Sequence, residues 1–306
     1  MTRFIAETLD LSRLPNLTLV GVDYEAERAN LIAGFKARAA AVGLDYDVEE
    51  LETDPFIYLA EEFAYRKTLT LAQINDAGKR LTLAYAYGEA LDHIAATYYA
   101  DVGVARLVVE PANPQTGAAA VLESDERFRM RIQLAPETRT PGTLGGYEYW
   151  ALTAAPRLVD AVALNHASGL VSPGQVLVVL LGGSDEAEQV TAAQEFLLDR
   201  RVKLGSDTVI VRAAKRVTGQ VNAVLQLRSG PAPAIPLAEA TAALAAYTGG
   251  RRRISKAVTM SGLYAALTVG GVERVSLNSP QADIVPPLDG VVDLSPPVLT
   301  TGAMND

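Results

Sequence analysis

The stretch from Thr53 to Arg106 limits this chain more than any other. From Phe56 onward, Leu59, Phe63, Thr70, Ile74, Ala77, Leu81 and Ala84 recur at three- and four-residue steps, or sums of them. That period lays them along one face of a helix. Asp54 is a good N-cap, and Pro55 takes the first helical position, where its missing N–H costs nothing. Gly88 reads as the stop. A helix from Phe56 to Ala86 holds about 31 residues and runs roughly 46 Å, against a globular average of about 11–12 residues. A compact domain does not need such a rod; an assembly that reaches a neighbouring chain does. Gly78 alone breaks the pattern, so either another backbone packs closely there or the rod bends. A second helix is expected from Glu89 to Tyr99.

Around the rod the chain reads as α+β, an N-terminal long-helix region followed by small mixed α/β domains. Residues 2–15 form an irregular lead, and Tyr24–Val42 a helix with Leu31, Ile32, Phe35 and Ala39 on one side. A short strand is expected at 107–110, a helix at 125–135 capped by Ser124, and an aromatic helix at 147–155. Residues 136–146, PETRTPGTLGG, are turn-rich and read as a hinge. Strands follow at 158–164, 176–181, 209–213, 217–227 and 272–277, with helices at 184–201, 236–247 and 255–269. Five prolines after Ser279 make the end of the chain an extended tail. The expected division is 1–106, 107–155, 156–235, 236–285 and a tail at 286–306.

The search for chemistry finds none. The chain has no cysteine, which excludes disulfides, thiolate metal sites and thiol catalysis. Its net charge of -9 argues against broad contact with nucleic acid or anionic lipid. No run of about 18 apolar residues offers a membrane span, and the first residues do not read as a secretory signal. Of the two histidines, His93 reads as a surface or capping residue. His166 lies in a loop near Ser168, but the nucleophile elbow of a hydrolase is missing. Asp45, Asp47 and Glu49 alternate like part of a calcium loop, yet position six is Glu50 and position twelve is Phe56. The glycines at 142, 145 and 146 precede a helix without a P-loop or dinucleotide fingerprint. Tyr147, Tyr149 and Trp150 read as core packing, with an interface anchor as the alternative. Arg251, Arg252 and Arg253 form the strongest basic cluster, read as a solvated loop or the mate of an acidic patch. No cofactor or metal is expected.

Several strings, in order, carry a resemblance. They are Leu14-Pro15, Thr53-Asp54-Pro55, Ala64-Tyr65-Arg66, Ile74-Asn75, the run LAYAYG at 83–88 and LDHIA at 91–95. The most characteristic is SDERFRMRI at 124–132, followed by GGYEYWA at 145–151, SPGQV at 172–176, SGLYAAL at 261–267, Gly271-Val272 and PQADI at 280–284. In this order and spacing the chain resembles the baseplate J-like family of contractile-tailed bacteriophages. It departs at Lys203-Leu204-Gly205, where the family usually has a proline, and in a longer loop at 165–171.

The resemblance implies a structural role and no enzymatic activity. Members of the family are baseplate wedge components. Two copies join through long helices with another wedge protein, and wedges join into a ring around the tail hub that changes shape as the sheath contracts. The implied partners are the chain itself, a tail protein I-type subunit and a lysozyme-like wedge protein that meets the sheath. The implied setting is the virion tail baseplate, assembled in the host cytoplasm, in a phage or a related injection particle. On this reading Phe56, Leu59, Phe63, Ile74, Gly78 and Leu81 form an interface. Arg251–Arg253 meets the acidic stretch 45–62 of another subunit, where complementary charge sets register. Two other classes stay open from the residues alone: a cell-wall hydrolase of the same particle, with paired carboxylates in a cleft, and a monomeric ligand-binding module with an apolar pocket.

Overall fold

The computed structural model describes residue 11 and residues 14–44, 55–199, 202–228 and 233–303. The Asp54 cap, the acids from Asp45 to Asp54 and most of the irregular lead lie outside these. The described residues form two compact units: a helical unit within residues 9–100, and a body from Asp101 onward.

In the helical unit, α1 (Tyr24–Ala41) starts at Asp23, whose carboxylate accepts the Ala26 N–H. It packs along α2 (Pro55–Arg80). The Phe35 and Phe56 rings stack with centroids 3.8 Å apart. Arg28 pairs with Glu61 at 3.1 Å and Lys67 with Glu27 at 2.5 Å. α3 (Glu89–Tyr98) follows.

The long helix is real but shorter than the sequence implied. It has 26 residues, about 39 Å at 1.5 Å per residue. After Arg80 the ladder tightens to three-residue steps, Leu81 N–H to Gly78 carbonyl (3.2 Å) and Thr82 N–H to Lys79 carbonyl (3.0 Å). The Thr82 hydroxyl also donates to the Lys79 carbonyl at 2.8 Å. These bonds satisfy end carbonyls that a continuing helix would have used. The pattern through Leu81 and Ala84 therefore continues in sequence but not in structure. Gly88, at φ +55, is the N-cap of α3 and not the stop of α2.

The body begins with a small hairpin, β1 (Val108–Glu110) against β2 (Val121–Leu122). α4 (Asp125–Leu134), capped by Ser124, and α5 (Leu144–Ala154), capped by Thr143, come next. A three-stranded sheet then pairs β3 (Asp160–Leu164) antiparallel to β4 (Gln175–Leu181), and β4 parallel to β5 (Thr208–Ala213). The crossover carries α6 (Glu186–Leu197). β4 is buried almost throughout, as its unbroken apolar run requires. Only Ala214 separates β5 from β6 (Lys215–Leu227), so one extended stretch passes from this sheet into the next. That second sheet has the order β7-β6-β8, with β7 (Val272–Ser279) antiparallel and β8 (Gly290–Ala303) parallel to β6. α7 (Ala234–Arg251) and α8 (Met260–Leu267) cover it through Leu244, Leu263 and Leu267, against Val221, Ala223 and Leu225.

Three expectations change here. The tail is not a separate segment: Gly290–Ala303 is a strand in register with β6. Pro296 and Pro297 fit because β8 is an edge strand, where a missing N–H is tolerated. The register shifts beside them, and the Gln220 amide donates to the Pro296 carbonyl at 3.0 Å. The segment 136–146 is a 3₁₀ turn (Ala135–Arg139) leading into the first turn of α5, with Gly145 and Gly146 buried inside the body. The last helix starts at Met260 instead of near Ser255, which sits at φ +67 and cannot be helical. The α+β class stands.

Candidate partner interface

The face that α2 turns inward carries Ile57, Ala60, Ala64 and Gly78. Each is one position along from, or between, the larger residues of the apolar stripe. A step of one residue turns a helix by about 100°, so the larger side chains fall on another face. Leu59 is 51% exposed, Phe63 56% and Ile74 43%; Tyr58, Tyr65 and Leu69 are also exposed, on a further face of the helix. Phe56 is half-buried against Phe35. Between α1 and α2 lies an open groove of about 230 Å³, lined by Leu31, Phe35, Phe56, Leu59, Ala60 and Phe63, with Asn30 and Arg38 at its polar edge.

Two residues expected on the stripe are not on it. Leu81 stands past the helix end, in the turn. Gly78 is buried under the chain's own lead: a Cβ there would come within 2.3 Å of Leu19 Cδ1. What lies against Gly78 is thus a side chain of the same chain and not a second backbone. Asn75, which the sequence singled out only within the string Ile74-Asn75, holds that lead in place. The Asn75 Oδ1 accepts the N–H groups of Leu19 (2.8 Å) and Val20 (3.0 Å), and its amide donates to the Val20 carbonyl at 2.9 Å. Tyr85 does similar work further on, with its hydroxyl 3.3 Å from the Leu14 carbonyl. Two strings of the resemblance, Leu14-Pro15 and LAYAYG, therefore meet in space.

The triple arginine is not a free basic patch. Arg253 reaches Glu126 at 2.5 Å and donates to the Val159 carbonyl at 3.0 Å. Arg252 lies 3.4 Å from Asp293, and the Arg251 guanidinium stands 5.6 Å from the Tyr247 ring centroid. The cluster closes the turn after α7 onto its own body. Of the acids in the stretch 45–62, Glu61 and Glu62 pair with Arg28 and Arg66.

The SDERFRMRI string forms a buried charge knot. Both carboxylate oxygens of buried Glu123 are in use: Oε1 accepts from Arg127, and Oε2 accepts from Arg131 (2.7 Å) and the Leu107 N–H (3.2 Å). Arg127 also donates to the carbonyls of Leu152, Ala155 (3.0 Å) and Leu158 (2.8 Å). Two of these lie at the end of α5, where carbonyls lack helical partners and a cation suits the dipole. Burial pulls the Arg127 guanidinium below its ordinary value, and Glu123 opposes that shift. Arg131 reaches the Ala105 carbonyl at 3.1 Å and lies over the Tyr149 ring. Two more buried acids fasten the sheets. Asp160 accepts the Ile254 N–H at 2.9 Å, and Asp289 binds Arg212 and Lys215.

The residues weighed for chemistry do not converge. His93 and His166 are both exposed, in α3 and in a 3₁₀ turn. The glycine-rich turn before α5 has its Gly146 N–H taken by the Thr143 hydroxyl at 3.0 Å. Tyr147 and Tyr149 are buried core. Burial and Asp207, which accepts its hydroxyl at 2.8 Å, push the Tyr147 phenol up to about 12. Among the described residues, no group of three or more metal-ligating side chains stands together.

Similarity to known proteins gives the class. The chain matches the Baseplate J-like N-terminal domain over residues 52–113 and the Baseplate J-like protein C-terminal domain over residues 220–295. It is 34% identical over 292 residues to Baseplate protein J of Escherichia phage P2, covering 90% of this chain and 92% of that protein. The chain belongs to the baseplate J-like family. The N-terminal match takes in α2 and α3, and the C-terminal match runs from β6 into β8. The charge knot lies in the span between them.

Proposed function

We propose that this chain is a structural component of a phage tail baseplate wedge. It pairs with itself and with other wedge proteins, among them a tail protein I-type subunit and a lysozyme-like wedge protein. Together they build the ring around the tail hub that rearranges on sheath contraction. The observation that carries this reading is the outward stripe of α2, where Leu59, Phe63 and Ile74 stay open to solvent. Fully covering a Leu or Phe side chain contributes roughly 1.5–3 kcal/mol, so a second helix on this face gains substantially.

Family membership and the similarity to Baseplate protein J support the baseplate setting. Masses in solution test the pairing, with the chain measured alone and with neighbouring tail proteins. The double change Leu59→Glu with Phe63→Glu is expected to abolish association. Each exposed change should leave folding within about 0.5 kcal/mol. Complexes that form unchanged in the double variant would remove the stripe from the wedge interface.

A further inference from the structure

The described chain passes from the helical unit to the body between Ala100 and Asp101. α3 ends at Tyr98, and the Tyr99 N–H closes it on the Ala95 carbonyl at 3.0 Å. Turn residues then run to Gly103, which sits at φ +69 with open space where a side chain would stand. One step later the surroundings change. Val104 is buried. The Ala105 carbonyl accepts from Arg131 at 3.1 Å, and Leu107 exchanges bonds with Glu123 through its N–H (3.2 Å) and its carbonyl (2.8 Å). Arg106 donates to the Glu123 carbonyl at 2.7 Å. On the near side of Gly103, Asp101 meets Arg139 at 2.7 and 3.1 Å, but both side chains are half exposed. Exposed pairs contribute little and are screened by salt.

We propose that Tyr99–Gly103 is the pivot on which the helical unit moves relative to the body, and that the buried Glu123–Arg127–Arg131 knot is the fixed post just beyond it. Release of Ala105–Leu107 would strip the buried Glu123–Arg131 pair of the Leu107 N–H and the Ala105 carbonyl that complete its hydrogen bonding, which is disfavoured. Motion is therefore confined to the turn before Val104, where the Asp101–Arg139 pair is a salt-sensitive tie from that turn to the body. Segment 136–146, which its composition marked as a hinge, is held inside the body by the Thr143 cap and the Tyr147–Asp207 bond. This goes beyond the baseplate role and stands or falls without it.

The absence of cysteine makes the full-length chain a clean background for paired spin labels. One pair, at Arg129 and Glu195, brackets 136–146 within the body. The other, at Arg66 and Glu195, has one label in each unit. The expected result is a narrow distance distribution for the first pair and one about twice as wide for the second, as a hinge between rigid parts produces. In Glu123→Gln, the Leu107 amide should exchange about tenfold faster while β3 and β4 amides keep their rates. Should that variant unfold the body, Arg139→Ala carries the test, with the second distribution broadened further and the first unchanged. A broad first distribution would move the joint to 136–146. Equally narrow distributions would eliminate the pivot, and an unchanged Leu107 amide would eliminate the post.

Discussion

Over eleven residues α5 buries Gly145, Gly146, Tyr147, Glu148, Tyr149, Ala151 and Leu152, whereas α2 over 26 residues buries Ile57, Ala60, Ala64 and Gly78. Both helices are rich in aromatic residues, but they use them in opposite ways. α5 turns Tyr147 and Tyr149 into the body and bonds the Tyr147 hydroxyl to Asp207. α2 turns small residues inward, so that α1 and the lead approach closely, and leaves Leu59, Phe63 and Tyr65 outside. The same contrast holds for charge. The body buries Glu123, Arg127, Arg131, Glu148, Asp160 and Asp289, while the ion pairs along α2 are partly or fully open to water. One region is completed by its own contacts. The other presents a surface that the remaining described residues do not cover.

Removing a charge from the knot should have the largest effect. Arg131→Met leaves Glu123 buried with one partner fewer, and is expected to cost the body about 3–5 kcal/mol. Urea melts followed by Trp150 fluorescence report it, since that tryptophan packs edge-on against Tyr149. A loss under about 1 kcal/mol would place this pair among surface bridges and blur the contrast. Asn75→Ala should have a smaller effect, confined to the helical unit. It removes three hydrogen bonds to Leu19 and Val20 and is expected to cost about 1–3 kcal/mol. Hydrogen exchange should rise around Leu19–Val20 and in α2, with body amides unaffected; a matching rise in the body would show that the two units unfold as one.

Acid should act most weakly. Hydrogen bonds from Arg139, Arg157 and Arg228 hold the carboxyls of Asp101, Asp185 and Glu273 below their ordinary values. A carboxyl depressed in the folded state stabilises above its unfolded value, and the contribution fades as pH falls through the folded one. The effect belongs below the ordinary carboxylate range, between 3.8 and 4.5 for these groups. Asp101 and Glu273 are exposed and Asp185 is partly so, so added salt should weaken it. A salt-insensitive acid transition would point to the buried carboxylates instead.

The sequence made much of this fold legible for physical reasons that differ by element. The unbroken apolar run of β4, the Ser124 cap of α4 and the proline at the start of α2 each carry a local signal that the fold follows. The α2 period gave the helix and its stripe but not its end, because termination at Arg80 depends on a threonine hydroxyl and three-residue bonds that periodicity does not contain. β8 was hidden because its prolines imitate a loose tail, and only the neighbouring β6 makes that stretch a strand. Arg251–Arg253 looked free because its partners Glu126 and Asp293 are remote in sequence. Asn75 and Glu123 left no signal of their own, since an amide in a helix or a glutamate before a cap is ordinary until its partners are seen. The outward stripe was readable because it follows helix geometry alone.

The central claim is that the outer face of α2 is covered by another chain. Hydroxyl-radical footprinting of the free chain and of assembled baseplates, read by mass spectrometry at Leu59, Phe63 and Ile74, tests it most directly. The account expects strong oxidation of these side chains in the free chain and pronounced protection in the assembly, with already buried Tyr149 and Leu152 unchanged. Equal oxidation of the stripe in both states would contradict it.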